Sequence, residues 1–167
     1  RLDVAFITDA TYMGKLKIKG GLRNILEKLK LPYTGSKLEV AAITKNKSLS
    51  KKYFEKRKLL TPDYLEINSE NIVKLKELLI KYNIEAPYVI KPRDEGAGID
   101  VSFTETSSEL FRIAKSLLEK HKNLIVERFV KGIEITVPVL EIGGKAIPLA
   151  TVEIEKAKRV KVFSNDI

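Results

Sequence analysis

The sequence of 167 residues contains no cysteine and no tryptophan, and it has a single methionine and a single histidine. The absence of cysteine excludes disulfide bonds, thiolate chemistry and cysteine-ligated zinc, and it is compatible with a cytoplasmic protein. No apolar stretch approaches the roughly 20 residues that a helix needs to cross a bilayer. The chain starts with a strand-like run over residues 4–8, which does not resemble a signal peptide. We therefore expect a globular protein of one domain or two small ones, with no membrane as partner.

Positive charge dominates the composition, with 31 Lys and Arg against 22 Asp and Glu and a net charge of +9. Such a balance suits nucleic acid, anionic lipid or a phosphorylated small molecule. A lysine-rich solvated surface is the simpler explanation, because the lysines are spread along the chain and mostly lie beside glutamates on predicted helices. One basic stretch, residues 45–58 with Tyr53 and Phe54 interleaved, leaves a nucleic-acid-binding domain open as the less favoured alternative.

The most informative segment covers residues 88–98. A short apolar run leads to Lys91 and ends at Pro92. The small-residue loop of residues 95–98 follows, and then the next apolar run begins. This order predicts a strand, a glycine-rich turn and a returning strand, with the lysine held just before the turn. Glycines let backbone N–H groups approach an anion closely, and a lysine supplies the point charge that a phosphate needs. The segment therefore predicts a site for the phosphates of a nucleotide.

Hydrophobic periodicity predicts four helices. The first covers residues 22–31, and the second covers residues 38–60 with a break near Asn46. The third is expected after Ser69, which would cap it, and the fourth after a capping box that begins at Thr106. The positions expected to face inward are Val40, Ile43, Leu49, Tyr53 and Phe54 in the second helix, Ile72, Leu75 and Leu79 in the third, and Leu110, Ile113, Ala114, Leu117 and Leu118 in the fourth.

Strands are predicted over residues 64–67 and 124–130, in addition to the two that flank the glycine-rich turn. Two further strands, over residues 133–142 and 146–152, should form a hairpin around Gly143-Gly144. From Tyr64 to Val152 the order of elements is β-α-β-β-α-β-β-β. Because most strand connections are hairpin-like, we expect an α+β protein with a mainly antiparallel sheet.

Three further side chains are candidates for nucleotide binding. Lys47 lies on the helix before the sheet, Glu127 closes a strand, and Glu134 follows seven residues later. A carboxylate at a strand end can accept the adenine amino group, and a second one can accept both ribose hydroxyls. Singly, Lys47 is explained as a solvated helix lysine, Glu127 as an exposed strand-end acid and Glu134 as the polar face of a strand. The prediction therefore depends on the order and spacing of the whole set.

That order resembles the D-alanine–D-alanine ligases of the ATP-grasp superfamily over residues 14–154. The matching motifs are Pro32-Tyr33-Thr34-Gly35-Ser36, Lys47 with Lys51, Thr61-Pro62, Val89-Ile90-Lys91-Pro92 with Glu95-Gly96, and residues 126–137. The resemblance implies an ATP-grasp central lobe with a mainly antiparallel sheet and packed helices. It divides the chain into the tail of an N-terminal α/β pre-ATP-grasp domain (1–36), a connecting helix (37–63), the central lobe (64–154), and a mobile loop or truncated start of a C-terminal lobe (155–167).

The resemblance also implies an activity and a set of site residues. Such enzymes phosphorylate a carboxylate with ATP and Mg²⁺, and an amine then attacks the acyl phosphate. Lys47 and Lys91 would hold the phosphates under the loop, Glu127 with the backbone of Arg128 and Val130 would read adenine, and Glu134 would bind ribose. The complete ATP set is Lys47, Lys91, Glu95, Gly96, Ala97, Gly98, Glu127, Arg128, Val130 and Glu134.

Several features of the sequence depart from the family pattern. Ala97-Gly98 replaces two serines of the loop, Asp100 replaces a glycine, and Asn46 replaces the aspartate before Lys47. The resemblance therefore implies a small amino-acid-like substrate without specifying D-alanine. The family's metal-binding acids lie in its C-terminal lobe, so we expect no metal ligands in this chain and no catalysis by it alone. A nucleotide-binding module without ligase activity is the alternative, and a homodimer is left open.

Overall fold

The computed structural model describes residues 3–7 and 21–155. This part of the chain contains both helices and antiparallel strands, which confirms the α+β prediction. The helices are α1 (Gly21–Lys28), α2 (Leu38–Lys45), α3 (Lys47–Lys56), α4 (Leu75–Lys81, preceded by a 3₁₀ turn over Ile72–Lys74) and α5 (Ser107–Leu118). The strands are β1 (Tyr64–Ile67), β2 (Tyr88–Pro92), β3 (Ser102–Thr104), β4 (Leu124–Arg128), β5 (Ile135–Thr136), β6 (Val139–Ile142), β7 (Lys145–Pro148) and β8 (Val152–Glu153).

The main sheet has the strand order β1-β4-β2-β3, and every neighbouring pair is antiparallel. Because β1 and β2 are both antiparallel to β4, they are parallel to each other, and α4 lies in the connection between them. In the same way α5 connects the parallel strands β3 and β4. One face of the sheet packs against both helices to form the core, which consists of Leu65, Ile67, Ile72, Leu75, Leu79, Ile84, Tyr88, Ile90, Leu110, Ala114, Leu117, Leu124 and Val126.

Strand alternation separates this core from a second, charged face of the sheet. Leu124 and Val126 belong to the core, so Ile125 and Glu127 point to the opposite face. On β2, Ile90 is likewise a core residue, and Lys91 points away from it. All four residues from Leu124 to Glu127 are buried, so β4 is covered on both faces. The fold therefore places Lys91 and Glu127 together on the side away from α4 and α5.

The predicted helix over residues 38–60 is two helices, and the predicted break at Asn46 is confirmed. The Asn46 side chain caps α3 by accepting the N–H of Leu49 at 3.0 Å. The predicted inner face of α3 was wrong, because Leu49, Tyr53 and Phe54 are each more than 40% exposed. The buried residues of α3 are Ser48 and Lys51, since this helix lies against the charged face of the sheet. In α2, Val40 is exposed and Ile43 half-buried.

The two core helices are confirmed, with one correction at a cap. Thr106 caps α5 as predicted, and its Oγ1 accepts the N–H of Glu109 at 3.2 Å. Ser69 does not cap α4, because the Asn68 carboxamide makes the turn by accepting the N–H of Asn71 at 3.0 Å. The predicted inward positions of both helices are buried or half-buried against the core.

The last strands form two small sheets, in which β5 pairs with β8 and β6 pairs with β7. The hairpin at Gly143-Gly144 is confirmed, with φ angles of +57° and +74° that favour glycine. The predicted strand over residues 133–142 is interrupted near Pro138, whose carbonyl accepts the N–H of Leu149 at 2.8 Å. The predicted strand over residues 4–8 is reduced to a bridge between Ala5 and Tyr33, and Thr8 lies outside the described residues.

Within residues 3–7 and 21–155, no helix combines the length and apolar character that membrane crossing requires.

Candidate functional site

A cluster of three lysines around one carboxylate lies on the charged face of the main sheet. Lys47 and Lys51 come from α3, Lys91 from β2 and Glu127 from β4, and we call these four residues the lysine cluster. Lys91 and Glu127 share this face because of strand alternation. Lys47 and Lys51 share one face of α3 because they are four residues apart. The cluster carries three positive charges and one negative charge, and this excess suits an anion.

The carboxylate of Glu127 is the centre of the cluster. Its Oε1 lies 2.9 Å from Lys51 Nζ, and its Oε2 lies 2.6 Å from Lys91 Nζ. The side chains of Glu127 and Lys51 are only 8% and 7% exposed, whereas that of Lys91 is 22% exposed. A buried charge of this kind needs a partner, and here each carboxylate oxygen has its own cation. The predicted residues Lys91 and Glu127 are therefore brought into direct contact.

Lys51 is a functional candidate that the sequence identified only as part of a motif and did not assign to the ATP site. Besides Glu127, its ammonium donates to Thr61 Oγ1 at 2.7 Å and to the Pro62 carbonyl at 2.8 Å. It also lies 5.1 Å from the centre of the Tyr64 ring. Burial lowers the pKa of Lys51, and the charge of Glu127 opposes that change. The sequence signal was its position four residues after Lys47, on the same helix face.

Lys47 fastens the glycine-rich loop to α3. Its ammonium donates to the Pro92 carbonyl at 2.8 Å and to the Glu95 carbonyl, and its backbone N–H donates to the Arg93 carbonyl at 3.1 Å. Burial lowers the pKa of Lys47, and the neighbouring charge of Lys91 lowers it further. The loop is therefore held beside two lysines at its start.

The loop itself has an unusual backbone. Ala97, Gly98 and Asp100 have φ angles of +53°, +74° and +51°, in the left-handed region. A Cβ atom added at Gly96 would meet no heavy atom within 4 Å, so the surface of the loop is open there. The end of the loop is held by Asp100, whose Oδ2 lies 2.6 Å from Nε2 of His121. Non-glycine residues with such φ angles are uncommon and often occur at functional sites.

The remaining predicted residues follow Glu127 along the chain. Arg128 and Val130 are exposed, and the backbone between them is held by the N–H of Phe129, which donates to the Pro87 carbonyl at 2.7 Å. Glu134 is half-buried at the start of the small sheet, where its carbonyl accepts the N–H of Ile154 at 2.8 Å. Arg128 and Val130 thus follow directly after the carboxylate that contacts Lys51 and Lys91.

Two acidic side chains near the loop, Asp94 and Glu66, form ion pairs with Arg93. Its guanidinium lies 2.8 Å from Asp94 Oδ2 and 3.1 Å from Glu66 Oε2. Hydrogen bonding to Asp94 is the main cause that raises the pKa of Arg93. Among residues 3–7 and 21–155, no group of three or more histidine, cysteine, aspartate or glutamate side chains is arranged to hold a metal ion. The described site therefore offers charge for an anion but does not fit a divalent cation.

A protein-family model described as "D-ala D-ala ligase C-terminus" matches residues 53–165. Among curated proteins, the chain is 32% identical over 147 residues to a D-alanine–D-alanine ligase of Fervidobacterium nodosum, covering 83% of this chain and 46% of the relative. It is also 32% identical over 150 residues to the ligase of Pelagibacter ubique, covering 87% of this chain and 46% of the relative. The chain thus spans about half the length of the curated relatives it matches.

Solved structures agree with the sequence relatives. The D-alanine–D-alanine ligase of Bacillus anthracis, solved in complex with ATP, has a TM-score of 0.70 and 28% identity, with 93% of this chain and 49% of that chain covered. The VanG D-Ala:D-Ser ligase of Enterococcus faecalis has a TM-score of 0.77 and 24% identity, with 92% of this chain and 43% of that chain covered. At 24% identity, the similarity to the VanG ligase shows a shared fold alone.

Proposed function

This chain belongs to the D-alanine–D-alanine ligase family, and on that basis we propose that it binds ATP and supplies the nucleotide-binding lobe of an ATP-dependent carboxylate–amine ligase. The observation that carries the proposal is the lysine cluster, which gathers Lys47, Lys91 and Glu127 on one face of the sheet. In this proposal residues 64–154 form the ATP-grasp central lobe, and residues 1–36 end a preceding α/β domain. The reaction would pass through an acyl phosphate.

Phosphate binding is assigned to Lys47, Lys91 and the loop of residues 95–98. Lys47 contacts the segment that carries the loop, and Lys91 contacts the Glu127 carboxylate. Lys91 is the more exposed member of the Lys91–Glu127 pair. A charged lysine neutralises phosphate oxygens as a point charge, and open loop backbone can donate to them. The chemistry required of these groups is positioning and charge neutralisation.

Adenine and ribose recognition is assigned to the chain that follows β4. Glu127 would accept the adenine amino group, the exposed backbone at Arg128 and Val130 would meet the ring edge, and Glu134 would accept the ribose hydroxyls. An ionised carboxylate only accepts hydrogen bonds, and its two oxygens together have about four acceptor positions. The two lysines occupy one position on each oxygen of Glu127, so acceptor capacity remains for a donor on the nucleotide.

The relatives support the ligase part of the proposal. The Bacillus anthracis relative was solved with ATP, and the relatives matched over most of this chain are named ligases. A small amino-acid-like molecule is proposed as the second substrate. Because the described residues do not fit Mg²⁺, none of them is assigned to the metal and no step is derived through it.

We expect ATP affinity to fall at least about tenfold in a Lys91→Ala variant, because a hydrogen bond to a charged group is worth about 1.5–3 kcal/mol. Isothermal titration calorimetry of the full chain with ATP measures the change. Lys115→Ala, which removes an exposed lysine from α5 on the opposite side of the sheet, serves as the control and should leave the affinity unchanged. Equal affinities in the wild type and Lys91→Ala would contradict the phosphate assignment.

A further inference from the structure

We infer that Lys51 is a positioning residue for base specificity. It fixes the Glu127 carboxylate so that the site selects a purine with an exocyclic amino group over one with a carbonyl at the same position. This inference rests on the proposed function and deepens it, because it concerns a residue that would not touch the nucleotide. It starts from the contact between Lys51 Nζ and Glu127 Oε1 at 2.9 Å.

The ammonium of Lys51 is a fixed point in the structure. Its three acceptors are Glu127 Oε1, Thr61 Oγ1 and the Pro62 carbonyl, at 2.9, 2.7 and 2.8 Å. An ammonium has three protons to donate, so this set satisfies it completely. The side chain is only 7% exposed. Lys51 is therefore already fully engaged, and it is poorly placed to contact a ligand itself.

Lys91 differs from Lys51 in exposure and in the number of partners that the structure gives its ammonium. Its side chain is 22% exposed, and its ammonium donates to Glu127 Oε2 at 2.6 Å. If a phosphate engages Lys91, as proposed above, the carboxylate loses or weakens its contact at Oε2. Lys51 then remains as the cation that holds the Glu127 carboxylate in one orientation.

The orientation of Glu127 decides which base it accepts. An ionised carboxylate accepts a hydrogen bond from an amino group and repels a carbonyl oxygen in the same place. A site built around a fixed hydrogen-bonding partner rejects the mismatched base strongly, because the buried polar group is left unpaired. A carboxylate released from Lys51 can rotate away from that position, so the discrimination should fall even where phosphate binding persists.

The test compares ATP with ITP, which carries a carbonyl in place of the adenine amino group, by titration calorimetry of the full chain. We expect the wild type to prefer ATP by at least about tenfold. In Lys51→Met this ratio of affinities should fall to within about twofold of unity. Lys52→Met makes the same change at the next residue of α3, which is exposed, and should keep the wild-type ratio. A merely structural role would weaken both nucleotides equally and leave the ratio unchanged.

A second variant covers the case in which Lys51→Met does not fold. Thr61→Val leaves both charges in place and removes one of the three acceptors that anchor Lys51, so it should stay folded and lower the ratio about threefold. A wild-type ratio in either folded variant would overturn the inference and leave the proposed function standing. A wild type that binds neither nucleotide would overturn the proposed function, and a wild type that binds both equally would overturn the assignment of adenine to Glu127.

Discussion

The environment of Lys47 predicts how ATP affinity depends on pH. Burial and the adjacent ammonium of Lys91 lower the pKa of Lys47 below its ordinary value of 10.5. Only the charged form attracts a phosphate, and ATP is already fully ionised above about pH 8 because its last phosphate pKa is near 6. As pH rises from 8 toward 10.5, we therefore expect ATP affinity to fall by up to about tenfold. Calorimetric affinities measured at intervals across this range show the midpoint of the decline.

Lys47→Arg supplies the matched control for that prediction. A guanidinium stays protonated throughout this pH range, so ATP affinity should fall less between pH 8 and 10.5 in this variant than in the wild type. Equal declines in the wild type and Lys47→Arg would mean that another group titrates. A decline centred at or above 10.5 in the wild type would contradict the lowered pKa.

At the scale of the element, three helices end in the same way. The residue after the last turn has a positive φ, and the next residue donates its N–H back across the turn, as in a Schellman motif. The bonds run from Leu31 to Leu26, from Leu59 to Phe54 and from Ile84 to Leu79, each at 2.9 Å. The residues with positive φ are Lys30 (+54°), Lys58 (+58°) and Asn83 (+51°). Glycine is the usual residue at this position and asparagine is tolerated there, so Lys30 and Lys58 hold a strained backbone conformation.

We expect Lys58→Gly to raise the free energy of unfolding by about 0.5–1 kcal/mol. The left-handed conformation costs a residue other than glycine about 1–2 kcal/mol, which the substitution removes. Part of this stabilisation is lost because glycine gives the unfolded chain more conformational entropy. Lys58 is exposed, so no buried contact is removed. Urea denaturation followed by circular dichroism measures the change. Lys52→Gly, in the middle of α3, should instead destabilise by about 1 kcal/mol. A destabilised Lys58→Gly would contradict the strain.

Elements with a purely local cause were predictable from the sequence. β1 was predicted to the residue, because Leu65 and Ile67 alternate with Tyr64 and Glu66 and only one side faces the core. The cap at Thr106 was predicted from a spacing of three residues. In both cases the pattern that identifies the element is contained within a few neighbouring residues.

Features that depend on distant contacts were not predictable. The buried face of α3 is polar because it lies against Glu127, and hydrophobic periodicity assigned the inner positions to its apolar residues instead. Lys51 was therefore recognised only as part of a motif. The contact between Asp100 and His121 joins residues 21 positions apart, and no local pattern indicates it. For the candidate site, the sequence predicted which residues carry the charge, and the structure was needed to pair them.

At the scale of the whole molecule, the main sheet and the last strands differ sharply in burial. The central strands β2 and β4 are buried almost throughout, whereas every residue of β5, β6, β7 and β8 is exposed. Val139 and Ile142 are 63% and 58% exposed although both are apolar. A two-stranded hairpin without a covered face is only marginally stable in water. The free energy of locally opening β6 and β7 should therefore be far smaller than the free energy of opening the core.

Native-state hydrogen exchange of the full chain tests this difference directly. Backbone amides of β2 and β4 should exchange only through global unfolding, which costs about 5–15 kcal/mol in typical domains, whereas those of β6 and β7 should open locally at little cost. We expect amide exchange in the hairpin to be at least about 10³-fold less protected than in the two central strands. Gly143→Val, which places a β-branched residue at a φ of +57°, should speed exchange in the hairpin further and leave β2 and β4 unchanged. Comparable protection in the hairpin and the central strands would contradict separate opening. A loss of protection in β4 on this substitution would likewise show that the two parts unfold together.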